Sequence, residues 1–294
     1  MGLLDGAFES IGKGLTKSGE DCLEAGLEVW QTGSTKVLEY CTTNPVTLGG
    51  AGGPWSVIIP IYTSFKGIGV GLLTLYFVIG YLRESIDIRN NFTIENMFRF
   101  FIRLILTATL IDTIMSIIRE VLGLAAGLAA EVGASVSSLD MPEGLFGAIT
   151  EGVEGGAWIG TGFICFIGGL VGMFVVIICS FQLLMAVLGR FFKIYLIIPF
   201  APIALASYAG GQGLSHSGTS WIKTFLGYCL EIVIIALALI LSFTMFSSGT
   251  GIFSAETAGL TGVIFGICEI VVPVIVAVGC VKGAETTIQR ALGL

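Results

Sequence analysis

Five long apolar runs restrict what this sequence can fold into more than any other feature. They cover Trp55–Leu82, Phe100–Gly127, Trp158–Leu188, Thr224–Phe246 and Gly259–Val281. Each reaches the roughly 20 residues with which a helix crosses a hydrocarbon core of about 30 Å. Only 12% of the 294 residues are charged, whereas about 25% is usual in soluble domains. The chain is therefore predicted to be an all-α, polytopic transmembrane helical bundle with five spans.

A further apolar stretch, residues 191–222, is interrupted. Pro199 and Pro202 break the helical hydrogen-bond ladder in its middle, and three glycines between 210 and 213 disfavour a clean continuation. Because irregular backbone at membrane depth must be buried against protein, we predict a bent, cytoplasm-side or re-entrant helical hairpin that includes Trp221. The alternative is that 191–209 forms a sixth span.

The distribution of Lys and Arg predicts the orientation. The loop between the first two runs carries Arg83, Arg89, Arg99 and Arg103, so it should be cytoplasmic, whereas residues 128–157 contain acids and no base. Five spans leave the base-free loop 247–258 outside and every later basic residue inside, namely Arg190, Lys193, Lys223, Lys282 and Arg290. Six spans would place the last three outside, so we predict an outer N-terminus and a cytoplasmic C-terminus.

Residues 1–53 are predicted to form an extracellular amphipathic helical arm ahead of a transmembrane domain at 54–294. Apolar residues recur there at helical spacing, and the arm has three lysines against seven acids, 3 − 7 = −4. Such an excess of acids suits an anionic bilayer surface poorly. The arm either lies on the chain's own outer loops or docks onto neighbouring subunits. Cys22 and Cys41 are expected to be unpaired thiols, and the alternative is a bridge between them if this region faces an oxidising compartment.

The second run carries a polar stripe, formed by Thr109, Asp112, Ser116 and Arg119 with Glu120 at its edge. At about 100° per residue these side chains share one helix face, and a charge at mid-membrane costs about 2.5–3.5 kcal/mol. The stripe is therefore predicted to face away from lipid, either as an internal Asp112–Arg119 ion pair or as the wall of a water-filled passage.

Three further charges lie within the apolar runs. Lys66 is expected to snorkel outward and Glu231 inward. Glu269 is deeper and precedes Pro273 by one turn, so it is either a structural feature or a member of a proton relay.

Glycine occurs 42 times, often at a spacing of four residues within the spans. Small residues at this spacing let membrane helices approach closely, within one subunit or between subunits. The predicted contact glycines are Gly67 and Gly71, Gly123 and Gly127, Gly168 and Gly172, and Gly262 and Gly266.

The sequence carries no recognisable catalytic, nucleotide-binding or metal-binding motif. The lone His216 has no cysteine pair with which to bind zinc. We therefore expect a protein that is not an enzyme and has no cofactor or metal.

Residues 188–239 resemble the core of the TrbL-type inner-membrane subunits of type IV secretion and conjugation machines. The resemblance consists of a long apolar helix ending in Arg190, an Ala201–Pro202 segment followed by Ala204 and Ala206, the polar turn Gly210–Thr219, and the motif Trp221-Ile-Lys223 before another long helix. The five-span topology is similar as well, and the likeness extends over roughly residues 55–285. The compact form is similar to versions from Gram-positive mobile elements.

The resemblance implies a non-enzymatic subunit that oligomerises as a ring, pentameric in the family, at the membrane base of a conjugative transfer conduit. Its implied partners are cytosolic ATPases, a coupling protein and the lipid bilayer of a bacterial cell, with DNA as transient cargo only. The outer segments are acidic, which suits a low-adhesion wall rather than a DNA-binding surface. The alternatives are a stand-alone small-molecule transporter or ion channel, and a scaffold without a conduit.

Overall fold

The computed structural model describes residues 2–86, 94–134, 159–211, 213–247 and 260–293. Within these ranges all regular structure is helical. The α-helices are α1 (Gly2–Thr42), α2 (Pro54–Ile86), α3 (Ile94–Ala134), α4 (Ile159–Ile197), α5 (Ala201–Ala206), α6 (His216–Ser247) and α7 (Leu260–Leu292). Short 3-10 helices occupy Gly50–Gly52, Ile198–Phe200 and Ser207–Gly210. The all-α prediction is confirmed for this part of the chain.

Five of the described helical segments are long and apolar enough to cross a membrane. They are Gly50–Arg83, Met97–Ala134, Gly162–Gly210, His216–Thr244 and Gly262–Ile288. A multi-pass membrane protein with five candidate spans is thus confirmed at the level of length and composition. The predicted outer loops, 128–157 and 247–258, fall mostly outside the described residues, as does Arg89.

The chain between α4 and α6 is helical but repeatedly broken. Pro199 and Pro202 each stand in the first turn of a short helix, where a missing N–H removes no helical hydrogen bond. A turn then follows in which Gly211 and Gly213 have φ of 81° and 93°, values that favour glycine.

After this turn α6 runs back along the segment that precedes it. The indole Nε1 of Trp221 donates to the carbonyl of Ile197 at 3.0 Å, and the N–H of Gly218 donates to Ser207 Oγ at 3.0 Å. The local path is therefore that of a helical hairpin. Its position relative to a bilayer stays a prediction.

The described residues divide into two compact units. The first holds α1 up to Tyr40, α4 up to Val187, α6 from Ile234 and α7 up to Gly283. The second holds α2, α3 up to Ala130, the chain from Leu188 to Val233, and the last residues from Ala284.

Within the first unit α4 and α7 run in the same direction. A Cβ at Gly168 would lie 2.6 Å from Ile267 Cδ1, and further along both helices Lys282 Nζ donates to Gln182 Oε1 at 2.7 Å. The five-span topology requires this parallel arrangement, since the third and fifth spans both run inward. A sixth span between them would make α4 and α7 antiparallel. The chain also makes no reversal near residue 190, because α4 is one helix from Ile159 to Ile197.

Candidate functional site

The polar stripe on α3 belongs to the second unit, and all five of its predicted members are exposed: Thr109, Asp112, Ser116, Arg119 and Glu120. Asp112 does not pair with Arg119. Its Oδ1 instead lies 2.8 Å from Nζ of Lys66 on α2. Two residues seven apart on a helix are separated by about 10.5 Å along its axis, so a residue on the antiparallel neighbour is the nearer partner. Lys66 is thus engaged across the α2–α3 interface rather than snorkelling outward.

Two further polar contacts join α2 and α3. The guanidinium of Arg119 lies over the Trp55 ring, 5.8 Å from its centroid, and the hydroxyl of Tyr62 donates to the carbonyl of Ile111 at 3.2 Å. Arg119 therefore gains a cation–π contact instead of an ion pair. These contacts fix α2 against one side of α3 and leave the polar stripe on the open side.

The second unit also contains a buried ion pair that sequence reasoning missed. Arg190 on α4 pairs with Glu231 on α6, and only 6% and 2% of their side-chain surfaces are exposed. Glu231 does not snorkel inward, because its carboxylate ends on the guanidinium of Arg190. Nothing in the local spacing points to this contact, since the two residues are far apart in sequence and meet only after the chain reverses at the hairpin.

In the first unit α1 packs directly along α4 through glycines at seven-residue spacing: Gly12, Gly19, Gly26 and Gly33. A Cβ at Gly19 would lie 2.5 Å from the Cys165 carbonyl oxygen, and one at Gly26 would lie 3.0 Å from Met173 Cα. The backbones therefore touch, which only glycine permits. The pairs Gly12 with Gly162 and Gly33 with Ser180 extend the seam at both ends, so α1 and α4 are parallel over about 20 residues.

The glycine seam continues into a buried apolar edge of α1. Leu23, Leu27, Trp30 and Val37 are all 5% exposed or less. Two hydrogen bonds reinforce the contact, from Ser180 Oγ to the Val29 carbonyl at 3.3 Å and from Cys165 Sγ to the Thr16 carbonyl at 3.9 Å. Helix α1 is thus an integral part of the first unit and is bound to a candidate span.

The opposite face of α1 is exposed and charged. Between Gly12 and Gly33 it presents two bases followed by three acids, with a half-buried fourth acid among them: Lys13, Lys17, Asp21, Glu24 and Glu28, and Glu20. The pair Lys36–Glu39 follows at 2.6 Å. The middle of this face, residues 20–28, carries four acids and no base. We call this segment the acidic band.

The predicted contact glycines behave differently from one another. Gly168 contacts Ile267 of α7, and Gly172 contacts Leu23 of α1. By contrast, a Cβ at Gly67, Gly71 or Gly127 would meet nothing within 4 Å in the described part of the chain. Gly123 is near Asn44 alone, at 3.6 Å, and Gly266 is buried whereas Gly262 is half-buried. Gly168 and Gly172 thus pack within the subunit, whereas Gly67, Gly71 and Gly127 have open space beside them in the described part of the chain.

Among the described residues, neither Glu269 nor the cysteines belong to a metal-binding cluster. Glu269 is half-buried on α7, and among the described residues no group of three or more His, Cys, Asp or Glu is placed to hold a metal ion. Cys22 and Cys41 are both free. Because they stand 19 residues apart on one helix, about 28 Å at 1.5 Å per residue, they cannot bridge each other. Burial raises the pKa of the Cys41 thiol to about 12, so Cys41 is an inert packing residue.

Comparison with known proteins adds no identification: no protein-family model, no curated protein and no solved structure matches this chain.

Proposed function

We propose that this protein is a non-enzymatic membrane subunit, several copies of which surround a water-filled conduit. In line with its resemblance to TrbL-type subunits, the conduit would belong to a conjugative type IV secretion machine in a bacterial cell membrane. The N-terminus would lie outside and the C-terminus in the cytoplasm. The partners would be cytosolic ATPases and a coupling protein, with DNA as transient cargo.

The observation that carries the proposal is the charged face of α1 on a candidate span. If that face met lipid, its five exposed charges between Gly12 and Gly33 would cost up to about 12–18 kcal/mol, taking about 2.5–3.5 kcal/mol for each. That exceeds the whole stability of an ordinary domain, about 5–15 kcal/mol. A helix bound to a span by a backbone seam therefore needs water, or a polar partner, on its other side. A conduit enclosed by several copies supplies water at that depth.

A second polar surface supports the same conclusion from the other unit. The exposed stripe from Thr109 to Glu120 lies within the candidate span Met97–Ala134. Much of the remaining exposed surface of that span is apolar, as Ile105, Leu106 and Leu124 are each at least 64% exposed. Because Ile105 and Asp112 are seven residues apart, they share one face of the helix. The open face of α3 is thus polar in its middle and apolar toward both ends, and its polar part needs water or another subunit.

This arrangement departs from the extracellular arm predicted for residues 1–53. The extracellular location of residues 1–53 stays a prediction, which is based on composition and charge. The glycine seam instead binds α1 to α4 over the apolar stretch from Gly162 to Ser180. Because α1 is parallel to α4, a position of α1 at the depth of the membrane requires residues 43–53 to return to the outer side before α2 begins.

The acidic band sets the chemistry of the proposed wall. Four carboxylates without a base repel a phosphate backbone, whereas gripping DNA requires Lys and Arg to displace counterions. The subunit would act as a low-adhesion wall that lets cargo slide. Purified protein should accordingly show little salt-sensitive affinity for single-stranded DNA, and a submicromolar Kd at physiological salt would contradict this role.

The proposal is tested by two spin labels at one level of the first unit, on opposite sides of the seam. Gly26 contacts Met173, so labels at Glu28→Cys on α1 and Phe174→Cys on α4 sit at similar depth, and both positions are exposed. In proteoliposomes of oligomeric protein, the label at 28 should collide with a water-soluble nickel chelate and the label at 174 with oxygen dissolved in lipid. If both labels meet the chelate, the first unit lies outside the bilayer and the conduit wall is not α1.

The stand-alone transporter or ion channel remains the second candidate, because Glu269 is half-buried on a helix that contains Pro273. Broken helices with isolated acids are typical of transporters. The two functions differ in oligomeric state: a closed monomer in detergent and in nanodiscs favours transport, and a ring with a central opening favours the conduit.

A further inference from the structure

We propose that the second unit binds one anionic phospholipid, of the phosphatidylglycerol type, in a cavity at the arginine-rich end of α3. The cavity has a volume of about 570 Å³ and lies between α3 and the turn that precedes α6. Ligand pockets in proteins are commonly about 300–1,000 Å³. The inference uses only contacts inside this unit and does not depend on the proposed conduit.

One end of the cavity is polar and cationic. Arg99 and Arg103 line it together with Tyr208 and Ser215. The guanidinium of Arg103 reaches the turn so closely that a Cβ at Gly211 would lie 2.5 Å from Nη1. No carboxylate is among the described residues that line the cavity. The guanidinium of Arg103 and the hydroxyl of Ser215 are donors that suit a phosphate. Arg99 adds positive charge, and the Tyr208 hydroxyl lies 3.1 Å from Thr219 Oγ1.

A third guanidinium stands nearby, at the end of α2. A Cβ at Gly213 would lie 3.2 Å from Nη1 of Arg83. Within the described residues, neither Arg83 nor Arg103 forms an ion pair with a carboxylate. The turn from Gly211 to Ser215 is therefore flanked by positive charge, which favours an anion over a zwitterion.

The rest of the cavity is mainly apolar. Its walls are Ile102, Leu106, Leu110 and Ile222, with Thr107 among them, and the exposed fractions of Ile102 and Leu106 are 54% and 64%. A ligand that fills the whole cavity must carry a phosphate at one end and hydrocarbon at the other. A phospholipid has this form, whereas a nucleic acid or a free phosphate leaves the apolar end empty.

The position along the helices agrees with a headgroup. Arg83 ends one candidate span, Gly50–Arg83, and Arg99 lies two residues into the next, Met97–Ala134. Span ends lie at the membrane–water interface, where lipid phosphates are and where basic pockets on the cytoplasmic side bind anionic headgroups.

The test compares lipids on purified, delipidated full-length protein by native mass spectrometry and by the shift in Tm. Dioleoyl-phosphatidylglycerol should bind in a one-to-one ratio and raise Tm, while dioleoyl-phosphatidylcholine, inorganic phosphate and the free headgroup glycerophosphoglycerol should not. Arg99→Gln combined with Arg103→Gln should weaken phosphatidylglycerol binding by about tenfold or more for each guanidinium removed. Lys223→Gln, which removes an exposed base of α6 outside the cavity, should bind as the parent does.

Three results would overturn the inference. Equal binding of phosphatidylcholine would show a non-specific groove, saturation by inorganic phosphate alone would show an anion site without lipid selectivity, and displacement by single-stranded DNA would show a nucleic-acid surface. If the double arginine variant does not fold, Leu106→Trp fills the apolar end and leaves both charges in place. It should also lose phosphatidylglycerol, and retention at parental affinity would refute the assigned cavity.

Discussion

Removing either member of the Arg190–Glu231 ion pair should destabilise the protein more than almost any other single substitution. Both side chains are at least 94% buried, with 6% and 2% of their surfaces exposed. A charge left without its partner in such a place costs about 3–5 kcal/mol. Because about 1.4 kcal/mol corresponds to a factor of ten, Glu231→Leu alone should lower the ratio of folded to unfolded protein by roughly 150-fold or more.

The double substitution separates the ion pair from the packing. Arg190→Met with Glu231→Leu replaces both charges by apolar groups, and such replacements are often neutral or stabilising by about 1–4 kcal/mol. The free energies of unfolding of the parent, the two single variants and the double variant therefore form a cycle with a coupling energy above about 5 kcal/mol. The measurement is reversible unfolding in mixed micelles, followed by helical circular dichroism as denaturant is added.

An exposed pair on α1 supplies the control. Lys36 and Glu39 are 60% and 62% exposed and lie 2.6 Å apart, and the carboxylate of Glu39 raises the pKa of the Lys36 ammonium. Exposed pairs contribute about 0–1 kcal/mol, so Lys36→Gln and Glu39→Gln should leave unfolding nearly unchanged. If the Arg190→Met and Glu231→Leu losses simply add in the double variant, the two side chains do not share a buried site and the assigned contact is wrong.

Three further predictions test other parts of the structure. Gly19→Leu should cost about 1–3 kcal/mol by forcing α1 away from α4, whereas Gly14→Leu, with nothing within 4 Å of its Cβ position, should not; equal losses in denaturant unfolding would argue against the seam. Asp112→Asn should cost no more than about 1 kcal/mol if the α3 stripe is wet, and a loss of about 3 kcal/mol or more in the same assay would place its ion pair in a dry environment. Alkylation of Cys41 at pH 9 should be about 500-fold slower than that of an ordinary thiol with a pKa of 9.0. The reason is that the raised pKa of Cys41, about 12, holds its thiolate fraction near 0.1%. The stability linked to this thiol is full below pH 9 and is lost as pH rises toward 12. Mass spectrometry with an added cysteine-containing peptide as the reference measures this difference, and similar rates would mean that Cys41 is accessible.

Composition and local spacing predict the elements of this protein better than its contacts. The apolar runs are long enough to identify the five candidate spans, and Pro199 and Pro202 mark the break between α4 and α6. Side-chain partners are harder, because they depend on which helices become neighbours. Asp112 has a possible partner on its own helix in the sequence, and the structure gives it Lys66 from α2 instead.

The α1–α4 seam could have been predicted, because its signal is in the sequence. Gly12, Gly19, Gly26 and Gly33 recur every seven residues on one helix face, which is a spacing that indicates close helix packing. The charged face of α1 by itself predicts something different, because an amphipathic helix with an acidic surface is typical of an arm in water. The seam and the charged face together predict a helix that is bound to a span and wetted on its other side.

The buried ion pair also changes the grounds for the topology. Arg190 counts toward an inward excess of positive charge only if it reaches the interface, but its charge is neutralised by Glu231 inside the second unit. The argument from charge therefore rests on the remaining bases, Lys193, Lys223, Lys282 and Arg290. The parallel contacts of α4 with α7 give support that does not depend on the charge of Arg190. They are incompatible with a reversal of the chain between the third apolar run and the hairpin. The direction of α4 and α7 is thus the one that five spans require, whereas the number of crossings and the cytoplasmic side stay predictions.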